Sequence, residues 1–381
     1  MDTSHELLPY GLTGHGKDAA VLASLKVERL DTATAILAAI EELGAEGETG
    51  FQTATWLSAI YRHLVPATGQ PLGLAIHTES GRLLGLVPLY TYKHGHLTVA
   101  KFADCGVSDY NAVLGDTTMG NAALLALIKP ACQDVDILAL ERMTATCPFS
   151  RHPTARPSRM SGNSLTIIDT VDDFIRSRGK KFRKEVERCF RVLNSEGQRS
   201  FQRAQTPAEI SNAFAALEQQ QAERHADKGS LYELGAPQYG AFYRDVLNAG
   251  PDLGHVFTLT VDGKIIAALM GIVHNGTFTL LRTANGGDAW RHVSPGRLIV
   301  IEAMRHLHAL GVKTFDMGIG DYAFKRSFGT EPIPLADLVV PISWRGTPTV
   351  TTLRLKDRLR QNERLVSTVR TLKTRLGSLR S

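Results

Sequence analysis

Three short apolar segments joined by turn dipeptides place the strongest constraint on the fold of this chain. The segments read HVFTLTVDG, KIIAALMGIVHNG and TFTLLRTAN, and they are joined at Asp262-Gly263 and Asn275-Gly276. Both dipeptides favour the tight turns of β-hairpins, which need two residues with positive φ angles. The pattern therefore predicts an antiparallel, three-stranded meander over residues 255–285.

A Gly-rich loop, a helix and a further strand follow the meander directly. Ser294-Pro295-Gly296 has the composition of a helix start, with Ser294 as N-cap and Pro295 as first helical residue. Gly296 would allow a ligand to approach closely, and Arg291 and Arg297 flank it. The free N–H groups and the positive dipole end of such a helix bind anionic oxygen atoms. This order predicts a site for a phosphate-bearing cosubstrate.

A second glycine pair follows the strand VKTFDM, in the sequence Gly318-x-Gly320. Its spacing matches the dinucleotide fingerprint in form, but that motif needs a full helix after the glycines. Here Gly329, Pro332 and Pro334 follow within a few residues. We therefore do not expect a dinucleotide-binding fold.

Composition is that of an ordinary soluble globular chain. The 381 residues are 43% apolar and 21% charged, with a net charge of +5, and this length suffices for two cores of roughly 150 residues each. The four cysteines form no Cys-x-x-Cys pair, so we expect neither a disulfide framework nor a metal site. The N-terminus lacks the basic start and apolar run of a signal peptide, and no run of about twenty apolar residues occurs. We predict a cytoplasmic protein without a transmembrane segment.

Helices, antiparallel strands, a loop, a helix and a strand occur in this order twice. In the first half, the patterns predict helices over 31–43 and 53–63, strands between 71 and 102, a loop over 104–111 and a helix near 119–132. We therefore predict an α/β (α+β) fold of two tandem units, each a mixed, mostly antiparallel sheet flanked by helices. The predicted boundaries are a flexible segment 1–28, a first domain 29–150, a second domain 151–345 and a basic amphipathic helical tail 346–381.

The flexible segment contains Gly11 and Gly16-Lys17, which have the spacing of a phosphate loop. Asp18 stands where that loop needs Ser or Thr, and no strand pattern precedes it. We interpret it as a flexible terminus and not as a nucleotide site.

Two segments are strongly basic. The first, RSRGKKFRKEVERCFRVLN, has only two acids, Glu185 and Glu187. It is either a solvated helix face, with Phe182, Val186, Phe190 and Leu193 turned inward, or a surface for a nucleotide, phosphate or RNA. The tail either packs back on the protein, docks a partner or makes peripheral contact with an anionic membrane surface.

Together these features resemble the GNAT acyltransferase superfamily, and specifically its tandem, CelD-like branch, which is related to the Fem-type peptidyltransferases. The matching features are the basic segment KKFRKEVERCFRVLNSEG, the helix end QQQAERHADKGS, the hairpin strands, and the series from Ser294-Pro295-Gly296 through Gly311 to Phe328-Gly329. The resemblance covers most of residues 165–330. The first half shares only the layout and Ser108-Asp109-Tyr110.

The resemblance implies that acetyl-CoA or another acyl-CoA is the cosubstrate. It would lie in a V-shaped split between the strands HNGTFTLLRTAN and VKTFDMG, with its pyrophosphate at the helix that begins near Ser294. Backbone amides near Thr283 and Ala284 would bind the oxyanion of the reaction. The residues implied to contact the donor are Thr283, Ala284, Arg291, Val293, Ser294, Pro295, Gly296, Arg297 and Lys325.

The same resemblance implies roles at the reaction end. Tyr322 would protonate the leaving thiolate, and Asp316 and Asp321 are candidates for the base or for orienting the acceptor. Asp316 could instead hydrogen-bond the turn, and Lys325 could bind phosphate or pair with Asp321. The residues implied to line the acceptor cleft are Arg224, His225, Asp109 and Tyr110.

Three functions follow from these expectations. The leading one is an acyltransferase that moves an acyl group from CoA to the amine or hydroxyl of a small-molecule or glycan-precursor acceptor, in polysaccharide or envelope biosynthesis. The second is a Fem-type transferase that uses aminoacyl-tRNA held by residues 176–191; the absence of a long helical-hairpin insertion in the sequence disfavours it. The third is a non-catalytic interaction protein that docks through its basic tail.

Overall fold

The computed structural model describes residues 25–44, 47–115, 121–250 and 252–361. The strands are β1 Leu25–Leu30, β2 Gln70–Thr78, β3 Leu83–His94, β4 Leu97–Phe102, β5 Leu114–Gly115, β6 Ile137–Met143, β7 Arg156–Pro157, β8 Gly162–Thr166, β9 Arg199–Arg203, β10 Gly254–Val261, β11 Lys264–His274, β12 Thr277–Asn285, β13 Thr314–Asp316, β14 Glu331–Ile333 and β15 Ala336–Pro341. The helices are α1 Ala33–Leu43, α2 Ala54–Ala59, α3 Val65–Thr68, α4 Asn121–Ile128, α5 Val171–Ser177, α6 Lys180–Glu196, α7 Pro207–Asp227, α8 Pro237–Asn248, α9 Pro295–Ala309, α10 Ala323–Ser327 and α11 Thr347–Gln361. A π-helical turn, Ile60–Leu64, joins α2 to α3.

The strands form two mixed sheets. The first has the order β1-β2-β3-β4-β6-β15-β7, with β5 beside β3, and the second has the order β14-β8-β13-β12-β11-β10-β9. Each sheet contains one parallel pair, β4 with β6 in the first and β12 with β13 in the second. The predicted architecture of two mixed, mostly antiparallel sheets flanked by helices is confirmed.

Local turn chemistry explains the best-predicted elements. β10, β11 and β12 form the predicted meander, and Asp262, Gly263, Asn275 and Gly276 all have positive φ angles, as the predicted turns require. The helix predicted over 31–43 begins at Ala33, because Thr32 rather than Asp31 caps it by accepting a hydrogen bond from the Ala35 amide.

One apolar cluster lies between the two sheets and joins the halves. It contains α1, α2 and α3 from the first half and α7 and α8 from the second, and Trp56 contacts Phe242 across the boundary at 4.9 Å between ring centroids. The Trp56 indole N–H donates to Ser108 Oγ at 2.9 Å. Separate clusters fill the outer faces, with α4 on the first sheet and α5, α6 and α9 on the second. Because the central cluster is shared, the cleft between the halves is held by packing and not by a linker.

The chain returns to the first sheet at its C-terminal end. β15, which falls inside the predicted second domain, pairs antiparallel with β6 through Leu338 and Leu140. Its backbone pairs with an edge of β6 that would otherwise expose unpaired N–H and C=O groups. At the other end, β1 begins at Leu25, within the segment predicted to be flexible; the loop-like Gly11–Asp18 sequence lies outside the described residues.

The described part of the basic tail is α11, where Val350 is buried against the first sheet. This is the packed-back arrangement among the predicted alternatives. None of the described helices is both long enough and apolar enough to cross a membrane.

Candidate functional site

The parallel strands β12 and β13 separate after a short pairing, and this creates the predicted split. Thr277 to Thr279 pair with Thr314 to Asp316, after which β12 continues to Asn285. Leu281 is an extra residue in β12, because Leu280 pairs with Gly271 and Arg282 pairs with Met270. Such a bulge bends a strand. Beyond Thr279, the edge of β12 that faces β13 has no strand partner among the described residues.

The helix α9 begins beside this split. Ser294 has φ 49 and its side chain makes no capping bond, so the predicted side-chain cap is wrong: a capping serine needs extended backbone, not left-handed backbone. Pro295 is the first helical residue, as predicted, and Val293 is buried beneath it. Within the described chain, the Gly296 amide has no hydrogen-bond acceptor, and a Cβ at this position would meet only Asn285 Nδ2, at 3.4 Å.

Guanidinium groups gather at the first turn of α9. Arg297 stacks over the Phe182 ring at 5.6 Å, and its buried Nε has no hydrogen-bond partner within the described residues. Arg188 donates to Glu185 at 2.9 Å. This hydrogen bond lowers the pKa of the Glu185 carboxyl to about 2, although burial acts to raise it. The Arg291 side chain is 86% exposed. Arg188 and Arg297 share the Glu185 carboxylate, and Arg291 lies 3.9 Å from Asp288. The three guanidinium groups thus face two carboxylates, and the remaining positive charge suits an anionic group.

A loop from the first half docks into the mouth of the split. The Tyr110 hydroxyl donates to Asp316 Oδ1 at 2.8 Å, and the Gly318 amide donates to the same oxygen at 2.8 Å. The Ile319 amide donates to Asp109 Oδ2 at 3.1 Å. The structure thus brings Asp109, Tyr110 and Asp316 together, although about two hundred residues of sequence separate them.

Burial dominates the electrostatics of this cluster. Asp316 is 3% exposed, and burial raises its pKa to about 6. The hydrogen bonds from Tyr110 and Gly318 act in the other direction and lower the pKa. Burial also raises the pKa of Asp109, and it lowers the pKa of Lys325. Both carboxyl groups therefore hold a proton more readily than a free aspartate does.

Lys325, Asp321 and Tyr322 occupy different surroundings. Lys325 Nζ donates to the carbonyl oxygens of Gly318 and Ile319, at 2.9 and 2.5 Å, and so holds the loop. Asp321 forms an exposed ion pair with Arg326 rather than with Lys325, away from the buried carboxylates. Tyr322 is 64% exposed, with its ring 5.3 Å from Lys325 Nζ.

The far end of β12 is tied to α7 by residues that the sequence analysis missed. Gln221 Nε2 donates to the Thr283 carbonyl at 3.2 Å, and Gln221 Oε1 accepts from Arg282 at 2.6 Å. Arg282 is buried, and Tyr232 donates to Gln221 as well. An arginine within the apolar strand TFTLLRTAN was the available signal. Ala284 is buried in the central cluster.

The predicted acceptor residues at the end of α7 lie next to this group. His225 hydrogen-bonds Ser230 at 2.9 Å, and its ring lies 5.2 Å from that of Tyr232. Arg224 is exposed. They lie beside β12 and are not in contact with Asp109 or Asp316.

The first sheet has a similar separation between β4 and β6, and side-chain contacts bridge it. Arg142 forms a 2.7 Å ion pair with Asp104, and Asn111 donates to Asp104 at 3.2 Å and to the Glu141 carbonyl at 2.9 Å. No group of three or more metal-ligating side chains is found in the described part of the chain.

Comparisons with known proteins agree with this geometry. Residues 180–326 match the family model of the acetyltransferase (GNAT) domain, a range that includes the split, the start of α9 and the Gly318 loop. A search of the curated proteins found no significant match.

Similar solved structures extend over most of the chain. FemX is 13% identical, with a TM-score of 0.57 over 85% of this chain and 99% of its own. L-PGS from Bacillus licheniformis is 14% identical, with a TM-score of 0.53 over 85% of this chain and 96% of its own. A tandem GNAT protein from the clavulanic acid biosynthesis pathway is 12% identical, with a TM-score of 0.50 over 84% of this chain and 99% of its own. At these identities the likeness concerns the fold. Residues 180–326 therefore carry the acetyltransferase (GNAT) domain of an acyltransferase, and the whole chain has a fold similar to those of FemX and of the tandem GNAT protein.

Proposed function

We propose that the chain is an acyl-CoA-dependent N- or O-acyltransferase whose donor site is the split between β12 and β13. The observation that supports this most directly is the start of α9 beside the split, where the Gly296 amide and the buried Arg297 Nε lack acceptors in the described chain. These groups and Arg188 would hold the pyrophosphate of the donor. When bound, the thioester supplies a carbonyl that an amine or hydroxyl can attack.

Asp109 is the proposed base that takes the proton of the acceptor. Its carboxylate lies at the mouth of the split, partly accessible, and burial raises its pKa toward the range in which a carboxylate accepts a proton well. Asp316 is a positioning residue in this proposal, because its Oδ1 already accepts from Tyr110 and Gly318.

The remaining steps need an oxyanion site and an acid. Backbone amides near Thr283 and Ala284, on the unpaired edge of β12, are the proposed oxyanion donors. The exposed phenol of Tyr322 is the proposed acid, which gives its O–H proton to the leaving group. Lys325 keeps the Gly318 loop in place for both.

The acceptor would enter from the side of the first half, past Asp109, with Arg224 and His225 near the end of β12. The family resemblance favours a small-molecule or glycan-precursor acceptor of polysaccharide or envelope synthesis, in the cytoplasm.

Calorimetric titration with acetyl-CoA, longer acyl-CoAs and free CoA tests the donor. We expect binding by wild type and, for Gly296→Glu, at least about a hundredfold weaker binding, because a carboxylate would face the pyrophosphate. Gly296→Ala is the matched control, since the space at Cβ is sufficient for a methyl group. Absence of CoA binding at millimolar concentration would rule out the proposed donor, and unchanged affinity of Gly296→Glu would show that the site is misplaced.

One observation favours the Fem-type alternative. The side chains of Lys180, Lys181, Lys184 and Arg191 on α6 are exposed, and among the described residues no carboxylate lies within 4.0 Å of them. Such a face suits a phosphate backbone. Filter binding of charged tRNA at several salt concentrations tests it. Steeply salt-dependent tRNA binding without CoA binding would replace the leading proposal with this one.

A further inference from the structure

A groove of about 930 Å³ lies in the first half, apart from the split. Tyr90, Lys101 and Val339 of the first sheet line it, together with Arg354 of α11. Residues of the segment 154–160, which includes β7, also line it. This volume is enough for a small molecule of the size of a substituted sugar.

The groove leads toward the proposed reaction end. Arg142 lines it, and the positive charge of Arg142 acts on Asp109, where it opposes the effect of burial on the pKa. Met160, which is 49% exposed, also lines the groove. The next residue, Ser161, accepts a hydrogen bond from the Gly320 amide at 3.1 Å. A molecule in the groove would therefore lie with one end near Asp109.

The charges of the groove are not balanced. Three cations are paired with carboxylates, namely Lys101 with Glu141, Arg142 with Asp104, and Arg159 with Asp357. Arg156 Nη1 donates to the Arg354 carbonyl at 3.4 Å, and Arg354 Nη2 donates to the Val339 carbonyl at 3.1 Å. Within the described chain, neither guanidinium has a carboxylate within 4.0 Å. Two neighbouring guanidinium groups thus have no ion-pair partner within this distance. The lining also includes Asp337, so its five cations face four carboxylates and the groove keeps one net positive charge.

His152 lies near Arg354 but does not line the groove. Burial lowers the pKa of His152, and the charge of Arg354 lowers it further. A phosphate group would supply the missing negative charge, and its oxygens match the forked N–H groups of arginine.

We propose that this groove binds the acceptor, and that Arg156 and Arg354 hold a phosphate group that the acceptor carries. The inference rests on the proposed acyl transfer and adds the substrate class: a phosphorylated amine or alcohol, with its nucleophile directed toward Asp109. The phosphate belongs either to a soluble phosphoester or to a lipid headgroup.

Titration calorimetry with glucose 1-phosphate, and with glucose as the uncharged probe, tests the groove. We expect glucose 1-phosphate to bind and glucose not to bind. The double change Arg156→Gln and Arg354→Gln should weaken the binding of glucose 1-phosphate at least about tenfold. Lys356→Gln is the matched control, because Lys356 is an exposed cation on the same helix that does not line the groove. Arg354→Lys keeps the charge without the fork and should give an intermediate loss.

Further experiments distinguish the groove from the donor site, and a soluble phosphoester from a lipid headgroup. Gly296→Glu should retain the binding of glucose 1-phosphate, because the donor site is elsewhere. Co-sedimentation with phosphatidic acid vesicles, abolished by the double change, would assign the phosphate to a lipid headgroup. The groove inference is wrong, and the donor proposal stands, if CoA binds while glucose 1-phosphate and the vesicles do not. It is also wrong if the double variant melts like wild type and keeps its affinity for the phosphate probe. If CoA fails to bind while the groove binds phosphate, the donor proposal fails and the phosphate site stands.

Discussion

Asp316 combines deep burial with a carboxyl group that two donors already satisfy. Its pKa of about 6 lies above the value of an unfolded aspartate. Between pH 4 and 6 the folded chain therefore binds more protons at this site than the unfolded chain does. The contribution of Asp316 to the free energy of unfolding therefore falls as the pH rises from 4 to 6.

The change Asp316→Asn tests this linkage. The free energy of unfolding of the variant, relative to wild type, should rise by about 2 to 3 kcal/mol between pH 4 and pH 7.5, because the amide does not ionise. Urea unfolding at the two pH values measures the difference. Asp321→Asn is the control, since Asp321 is exposed, and it should show no such rise. A difference that does not change with pH would contradict a buried, titrating Asp316.

The ionisation of His255 makes stability change with pH in the direction opposite to that of Asp316. Both ring nitrogens are buried without partners in the described chain, and burial lowers its pKa to about 3. Below the unfolded value near 6.5, the unfolded chain gains a proton that the folded chain does not, so stability falls as pH falls.

The change His255→Gln should remove this loss. Between pH 6.5 and 4.5, wild type should lose about 2 to 3 kcal/mol more than the variant in urea unfolding. His96→Gln, at an exposed turn, should behave like wild type. Equal losses in all three proteins would mean that His255 titrates normally in the folded state.

At the scale of elements, the decisive contact is between the docking loop of the first half and the Gly318 loop after β13. Gly318 has φ +76, and a Cβ there would lie 2.5 Å from Asp109 Oδ2. Glycine is needed for both reasons, since other residues are strained in this region of φ and would displace the carboxylate.

We expect Gly318→Ala to cost about 2 to 4 kcal/mol in unfolding free energy, from backbone strain plus the clash with Asp109. Gly311→Ala is the matched control, because Gly311 has φ +91 and open space around its Cβ position, so it should lose only about 1 to 2 kcal/mol. Chemical denaturation of both variants measures the difference. Equal losses would show that Asp109 moves aside freely.

At the scale of the whole molecule, the two halves are not independent. The central cluster takes side chains from both, and β15 crosses back to lie between β6 and β7 in the first sheet. The domain boundary at residue 151 therefore separates the two sequence patterns but not two self-contained folding units.

We predict that a fragment of residues 1–160 does not fold cooperatively, because the edge of β6 and the central cluster lose their partners. A chain that ends at Gln361 keeps every described element and should unfold in a single sigmoidal transition. Two-dimensional NMR and urea unfolding compare the two. A dispersed spectrum from the short fragment would show that the first half folds alone.

Sequence periodicity and turn chemistry predicted most of the elements, since they depend on neighbours in the chain. The meander follows from Asp262-Gly263 and Asn275-Gly276, and the position of α9 follows from Pro295. Local rules failed where backbone shape depends on contacts from afar, as at Ser294, whose left-handed conformation excludes the predicted cap. The sequence pattern also did not predict the role of Arg282 on β12, because its partner Gln221 lies on α7, about sixty residues away in the chain.

The amino-acid sequence by itself determined the two-unit mixed fold, the helix start beside the split and the family resemblance, because these rest on local propensity and short motifs. Only the tertiary structure decided which carboxylates meet: Asp109 reaches the Gly318 loop, Asp316 is buried beneath Tyr110, and Asp321 stays in solvent. It also decided that β15 belongs to the first sheet and that two guanidinium groups of the groove bind carbonyl oxygens and have no ion-pair partner within 4.0 Å in the described chain. The physical reason is that burial and charge pairing depend on distances between residues far apart in the chain, which no local pattern encodes.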